Sequence, residues 1–153
     1  MGFISAKEVA KGLSLEKFGF LGTALGATLM RLTKLSHFNK VYEDRKHLDA
    51  PQFIDSILNY LEVDFEIPEK DLKRIPKTGP FIAISNHPLG AIDGMILMKI
   101  LIEKRPDFKI IANFLLHRLD PLAPYILPVN PFEDRKDAKS SVKGLKESIL
   151  HLR

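Results

Sequence analysis

The run Phe81-Ile-Ala-Ile-Ser-Asn-His87-Pro constrains the fold of this chain more than any other stretch. It is apolar, partly β-branched, too short for a helix, and bounded by Gly79-Pro80 before and Asn86-His87-Pro88 after. That pattern predicts a buried strand over 81–85 that stops abruptly in a turn. Pro88 biases His87 away from helical dihedrals, so the imidazole stands in the connection and not inside the next helix. If His87 and Asp93 shared one continuous helix, six steps of about 100° would put them on different faces. A break from Pro88 to Gly90 lets the chain fold back and bring Asp93 to the ring.

The other elements follow from periodicity. Pro51 to Tyr60 reads as a helix preceded by Asp49, with Phe53, Ile54, Ile57, Leu58 and Leu61 on one face. Val63, Phe65 and Ile67 alternate as a short strand, and 67–80 reads as a surface connection. A helix is expected near 92–104, ended by Pro106, then strands over 109–113 and 126–129. The final helix covers 138–153, with Val142, Leu145, Ile149 and Leu152 at helical spacing. Strands alternating with helices predict an α/β fold with a mainly parallel sheet flanked by helices. Sites in such folds gather at strand carboxyl ends, and His87 and Asn130 both follow predicted strands directly.

Charge is uneven. Residues 1–48 hold eight Lys or Arg against four Asp or Glu, whereas residues 49–153 hold fifteen of each. The excess flanks the most apolar run, Phe18 to Met30, with Lys7, Lys11 and Lys17 before it and Arg31, Lys34 and Lys40 after it. Thirteen helical residues span about 20 Å, short of the roughly 30 Å hydrocarbon core, so a transmembrane helix is a poor fit. An amphipathic interfacial helix fits better, with Phe18, Leu21, Leu25, Leu29 and Leu32 as its apolar face and basic side chains drawn to anionic lipid. The alternative is a helix packed on the rest of the protein. Glu8 and Glu16 and the missing small-residue cleavage site argue against a secretory signal, and Ala6 against myristoylation of Gly2.

Composition excludes several function classes. At 45% hydrophobic and 27% charged the chain can bury a core and is not of disordered type. With no Cys there is no disulfide scaffold and no thiolate metal site. His37, His47, His87, His117 and His151 show no metal-ligand spacing, so no protein-bound metal is expected. Basic residues do not cluster with aromatics, and no nucleic-acid motif is present.

A carboxylate bonded to one imidazole nitrogen fixes the tautomer and stabilises the imidazolium, leaving the other nitrogen as a general base. With no Cys and no Gly-x-Ser-x-Gly elbow, the chain offers no obvious nucleophile of its own, so the substrate would bring its hydroxyl. The plainer reading is that Asn86 and His87 punctuate a turn while Asp93 caps the helix that follows.

The segment Asn86-His-Pro-Leu-Gly-Ala-Ile-Asp-Gly94 resembles the first sequence block of the lysophospholipid acyltransferase superfamily, which includes the 1-acylglycerol-3-phosphate acyltransferases. Ile126-Leu-Pro-Val-Asn130-Pro-Phe-Glu-Asp-Arg135 resembles its acceptor-binding block, and Ala112 to Leu116 connects the two. The likeness spans most of residues 50–153 and is closest to the bacterial haemolysin-like branch that makes amino-acid-containing lipids. Two features depart from the family. Five residues, Pro88 to Ile92, separate His87 from Asp93 where four are usual. The Pro-Glu-Gly-rich third block does not occur before Arg153, which leads us to expect the N-terminal part of a longer acyltransferase-like domain over 49–153, behind a membrane-anchoring segment over 1–48.

The resemblance implies fatty acyl transfer from acyl-CoA or acyl-carrier protein to a lysolipid, either lysophosphatidic acid or a lyso-amino-acid lipid, with the thioester as substrate and no cofactor. His87 would take the acceptor proton and Asp93 would orient it. Arg135 and Lys136, with Lys139, would hold the anionic head group, joined by Asn86, Gly90 and Asn130 in the substrate site. Without the resemblance, Arg135 reads as a solvated partner of Glu133 or Asp134. The implied location is the cytoplasmic face of the cell membrane, peripheral or monotopic. A lipid or phosphate-ester hydrolase, using the same base on water, and a non-catalytic peripheral membrane module are the alternatives.

Overall fold

The structure, a computed structural model, describes residues 5–12, 15–32, 35–130 and 138–153. The chain divides into two compact units, Met1–His47 and Leu48–Arg153.

The first unit is helical: α1 Ala6–Gly12, a 3-10 turn Glu16–Phe18, α2 Gly19–Leu32 and α3 Leu35–Glu43. α1 packs on α2 at Gly26; the buried positions of α2, Gly22, Gly26 and Met30, recur every fourth residue, and Leu15 lies over Gly22. A Cβ at Gly26 would stand 2.5 Å from the Ala6 carbonyl oxygen and 3.3 Å from the Ala10 Cβ, so only glycine permits this approach. The expected apolar face is turned the other way: Phe18, Leu21, Leu25 and Leu32 are exposed, together with Phe20. Among the described residues no helix is long and apolar enough to cross a membrane.

The second unit begins with α4, Ala50–Tyr60. Asp49 caps it, its carboxylate accepting the Gln52 amide at 2.9 Å, and Pro51 occupies the first turn, where a missing N–H costs nothing. Phe53, Ile54, Ile57 and Leu58 are buried on one face, as their spacing predicts, and each such side chain contributes about 1.5–3 kcal/mol by leaving water. That face packs against α6, Ala91–Lys104, which buries Met98, Leu101 and Ile102. Lys99 of α6 reaches Asp55 of α4 at 2.9 Å and also pairs with Glu103. Partial burial pulls the Lys99 ammonium downward, but the hydrogen bonds to Glu103 and Asp55 outweigh it and leave the group raised above an ordinary lysine.

The sheet is small. β1 Ile110–Asn113 and β2 Ile126–Val129 pair in parallel with Ile110 opposite Ile126, close to the predicted spans. Two 3-10 turns, Leu116–Arg118 and Ala123–Tyr125, connect them and help bury Leu119 and Leu122. α7, Ala138–His151, packs on β2 at Gly144, where a Cβ would collide with the Pro128 carbonyl oxygen. Val142, Leu145 and Ile149 are exposed, so its contact face is set by a glycine and not by its apolar stripe.

Two predicted strands are absent among the described residues. Residues 63–67 run as irregular chain into the short helix α5, Glu69–Leu72. Residues 81–85 are also in no ladder, and Ile82 and Ile84 are 72% and 92% exposed. A buried strand needs partners for its amides and carbonyls and a layer over its side chains; among the described residues β1 and β2 pair only with each other. The fold is therefore mixed helix and sheet, consistent with α/β, with fewer strands than the apolar runs suggest.

Candidate active site

Residues 88–90 form a turn that feeds directly into α6. Gly90 stands before the helix with φ 64° and ψ −126°, a conformation that is accessible essentially to glycine alone. This reverses the chain as expected and carries Asp93, in the first turn of α6, back toward the residues preceding the helix. Asp93 Oδ2 accepts the Leu89 amide at 2.6 Å, and the same oxygen lies 3.8 Å from His87 Nδ1. The first contact is a hydrogen bond; the second is too long for one and is an electrostatic contact. The carboxylate is thus fixed by the turn, and the ring stands beside it.

The environments of the two groups differ. The His87 side chain is 59% exposed, whereas that of Asp93 is 22% exposed. Beneath the ring lies Gly94, where a Cβ would stand 3.4 Å from His87 Cε1. An alanine there would meet the imidazole at an ordinary van der Waals distance. One nitrogen of the ring therefore faces a held carboxylate while most of the ring is open, the arrangement in which an imidazole can accept a proton from an incoming hydroxyl.

Of the residues expected from sequence, the structure brings together His87, Gly90 and Asp93. Asn86 is exposed in the extended segment just before His87. Asn130 follows the last residue of β2 directly, at its carboxyl end. Arg135 and Lys136 fall outside the described residues; Lys139 is in the first turn of α7. No group of three or more His, Cys, Asp or Glu that could hold a metal ion occurs among the described residues.

Two contributors escaped sequence reasoning. Gly94 lies within the Asn86–Gly94 motif, but its closeness to His87 depends on the turn geometry. Arg105, at the far end of α6, is the one buried charged residue among the described residues, at 9% exposure. The available signal was local: an arginine followed two positions later by Asp107, at a helix end before a proline. The guanidinium donates to both carboxylate oxygens, at 2.8 and 2.7 Å. This hydrogen bonding holds the Asp107 carboxyl below the usual carboxylate range.

The sequence profile of the acyltransferase family matches residues 10–148. The lyso-glycine lipid O-acyltransferase of Phocaeicola vulgatus is 27% identical over 128 residues, covering 83% of this chain and 45% of that protein. Its namesake from Bacteroides thetaiotaomicron is 25% identical over 129 residues, covering 83% of this chain and 46% of that protein. The chain thus spans less than half the length of these curated relatives. No solved structure matches it. With the profile covering nearly the whole sequence and running through the His87 turn, this chain belongs to the acyltransferase family.

Proposed function

We propose that the protein transfers a fatty acyl group from an acyl thioester to the hydroxyl of a lysolipid, with His87 as general base and Asp93 as the group that orients it. The observation that carries this reading is the shared oxygen: Asp93 Oδ2 is held by the Leu89 amide at 2.6 Å and stands 3.8 Å from His87 Nδ1. A carboxylate fixed in that way favours the imidazolium without having to move. As the acceptor oxygen attacks the thioester carbonyl, its proton passes to the free imidazole nitrogen. The carbon–sulfur bond then breaks, and the proton goes on to the departing thiolate. Closure on substrate would shorten the His87–Asp93 contact, as catalytic hydrogen bonds commonly tighten in the complex.

The names of the relatives favour a lyso-glycine lipid as acceptor over lysophosphatidic acid. Both acceptors present a hydroxyl near an anion, and the basic pair Arg135 and Lys136, with Asn130 at the end of β2, would receive that anion. The donor is acyl-CoA or acyl-carrier protein. Work on such acceptors takes place at a membrane surface, and the exposed Phe18, Phe20, Leu21 and Leu25 of the first unit, bordered by Lys17 and Arg31, would hold the protein there as a peripheral protein on the cytoplasmic face.

Incubation with labelled acyl-CoA, with and without lyso-glycine lipid or lysophosphatidic acid, tests the reading. Transfer that depends on lysolipid supports it. Release of free fatty acid regardless of lysolipid would make the protein a hydrolase, and no turnover of either kind would leave a non-catalytic membrane module.

A further inference from the structure

Arg105 directs its guanidinium away from its own helix. Besides the bidentate pair with Asp107, Nη1 donates to the Pro76 carbonyl and Nη2 to the Gly79 carbonyl, each at 3.1 Å. Its flat face lies 4.9 Å from the centre of the Phe81 ring. Phe108 stacks on that ring with centroids 6.2 Å apart. Thus Phe81 and the two residues before it are gripped at the carboxyl end of α6. Eight residues later the same chain is gripped again, where Leu89 donates to Asp93 at the amino end of α6.

Between these two grips the segment lies in no ladder among the described residues, and Ile82 and Ile84 are exposed. Residues 81 to 89 cover at most about 26 Å when extended, and the helix from residue 93 to residue 105 rises about 18 Å. The segment is nonetheless held at both ends, so where Arg105 places Gly79 and Phe81 bears on where the chain delivers His87. His87 sits two residues from the far grip.

We propose that Arg105 is a positioning residue for His87: its hold on Gly79 and Phe81 sets where the segment delivers the imidazole against Asp93. This rests on the reading of His87 as the base. Arginine is required because one planar fork meets a carboxylate, two carbonyls and an aromatic face together, which the point charge of a lysine cannot do.

The test uses the full chain with a long-chain acyl-CoA and lyso-glycine lipid as probes. Arg105→Lys should lower kcat about tenfold, as expected when a reacting group is displaced by a fraction of an ångström, with both KM values within about twofold of wild type. Phe81→Leu, which keeps the apolar contact but removes the aromatic face, should give a smaller loss of the same kind, about threefold. In a His87→Ala background, Arg105→Lys should cost less than about twofold, because a residue acting through His87 has nothing left to position. Lys99→Met, which removes the other ion-paired cation of α6, should leave kcat unchanged. Exchange of the Leu89 amide, held by Asp93, should quicken in Arg105→Lys and Phe81→Leu while α4 stays protected.

Wild-type turnover in His87→Ala would end the base assignment and the positioning role with it. If His87→Ala is inactive but Arg105→Lys and Phe81→Leu keep wild-type kcat, the positioning role alone falls. It falls equally if Arg105→Lys costs as much without His87 as with it, or if Lys99→Met lowers kcat to the same extent.

Discussion

A single oxygen of Asp93 serves both the backbone turn and the histidine: Oδ2 accepts the Leu89 amide at 2.6 Å and lies 3.8 Å from Nδ1 of His87. The same carboxylate therefore shapes the loop and stands beside the ring. Substitutions at Asp93 can separate these roles, because asparagine keeps an acceptor oxygen for Leu89 but carries no charge.

With His87 as the proposed base, His87→Ala should reduce acyl transfer by about 10² or more, and without loss of fold, since the side chain is largely exposed. Asp93→Asn should also lower turnover severely while thermal stability stays close to wild type. Asp93→Ala should lower both. Steady-state kinetics beside thermal unfolding check all three, and a folded His87→Ala variant with wild-type transfer would remove the general base.

Gly90→Ala should destabilise the protein by about 1–3 kcal/mol, the usual penalty for holding a side chain in a backbone region reserved for glycine. The site has open space around the missing Cβ, so the cost comes from φ 64° and ψ −126° and not from a clash. Chemical denaturation measures it. Unchanged stability would mean that the turn readily adopts another conformation.

On the proposed membrane role, binding to anionic vesicles should weaken as salt rises, because Lys17, Arg31 and their basic neighbours would supply part of the attraction. Phe20→Glu with Leu21→Glu should abolish most of the remaining binding and leave the melting temperature unaltered, as both side chains are exposed in the structure. Co-sedimentation reads out both effects. Equal sedimentation of the double variant would mean that α2 does not meet the membrane.

Asp107→Asn should destabilise the protein at neutral pH and make less difference as the solution becomes acidic. The carboxyl is held below its ordinary range by the hydrogen bonds from Arg105, so its stabilising contribution is present above the unfolded-state value of about 3.9 and is lost as pH falls through the lower folded-state value. Urea denaturation of both proteins from pH 7 down to pH 3 should show the gap closing. A gap that widens toward acid would mean the opposite shift.

The sequence by itself determined the elements whose causes lie within a few residues. α4 was legible because Asp49, Pro51 and the spacing of Phe53, Ile54, Ile57 and Leu58 all act locally. α6, β1 and β2 were legible for the same reason, and so was the reversal at Pro88 to Gly90 that lets Asp93 approach His87. Tertiary structure decided what required distant partners. The runs 63–67 and 81–85 are as apolar as strands, but a strand exists only where another backbone completes its hydrogen bonds, and none does so among the described residues. The faces of α2 and α7 followed the same logic: glycines at 22, 26 and 144 allowed close backbone approach, and the larger apolar residues were left outside. The grip of Arg105 joins it to positions 76, 79 and 81, whose proximity no pattern of local spacing encodes, because it arises only once α6 has folded and the segment before His87 has met its carboxyl end.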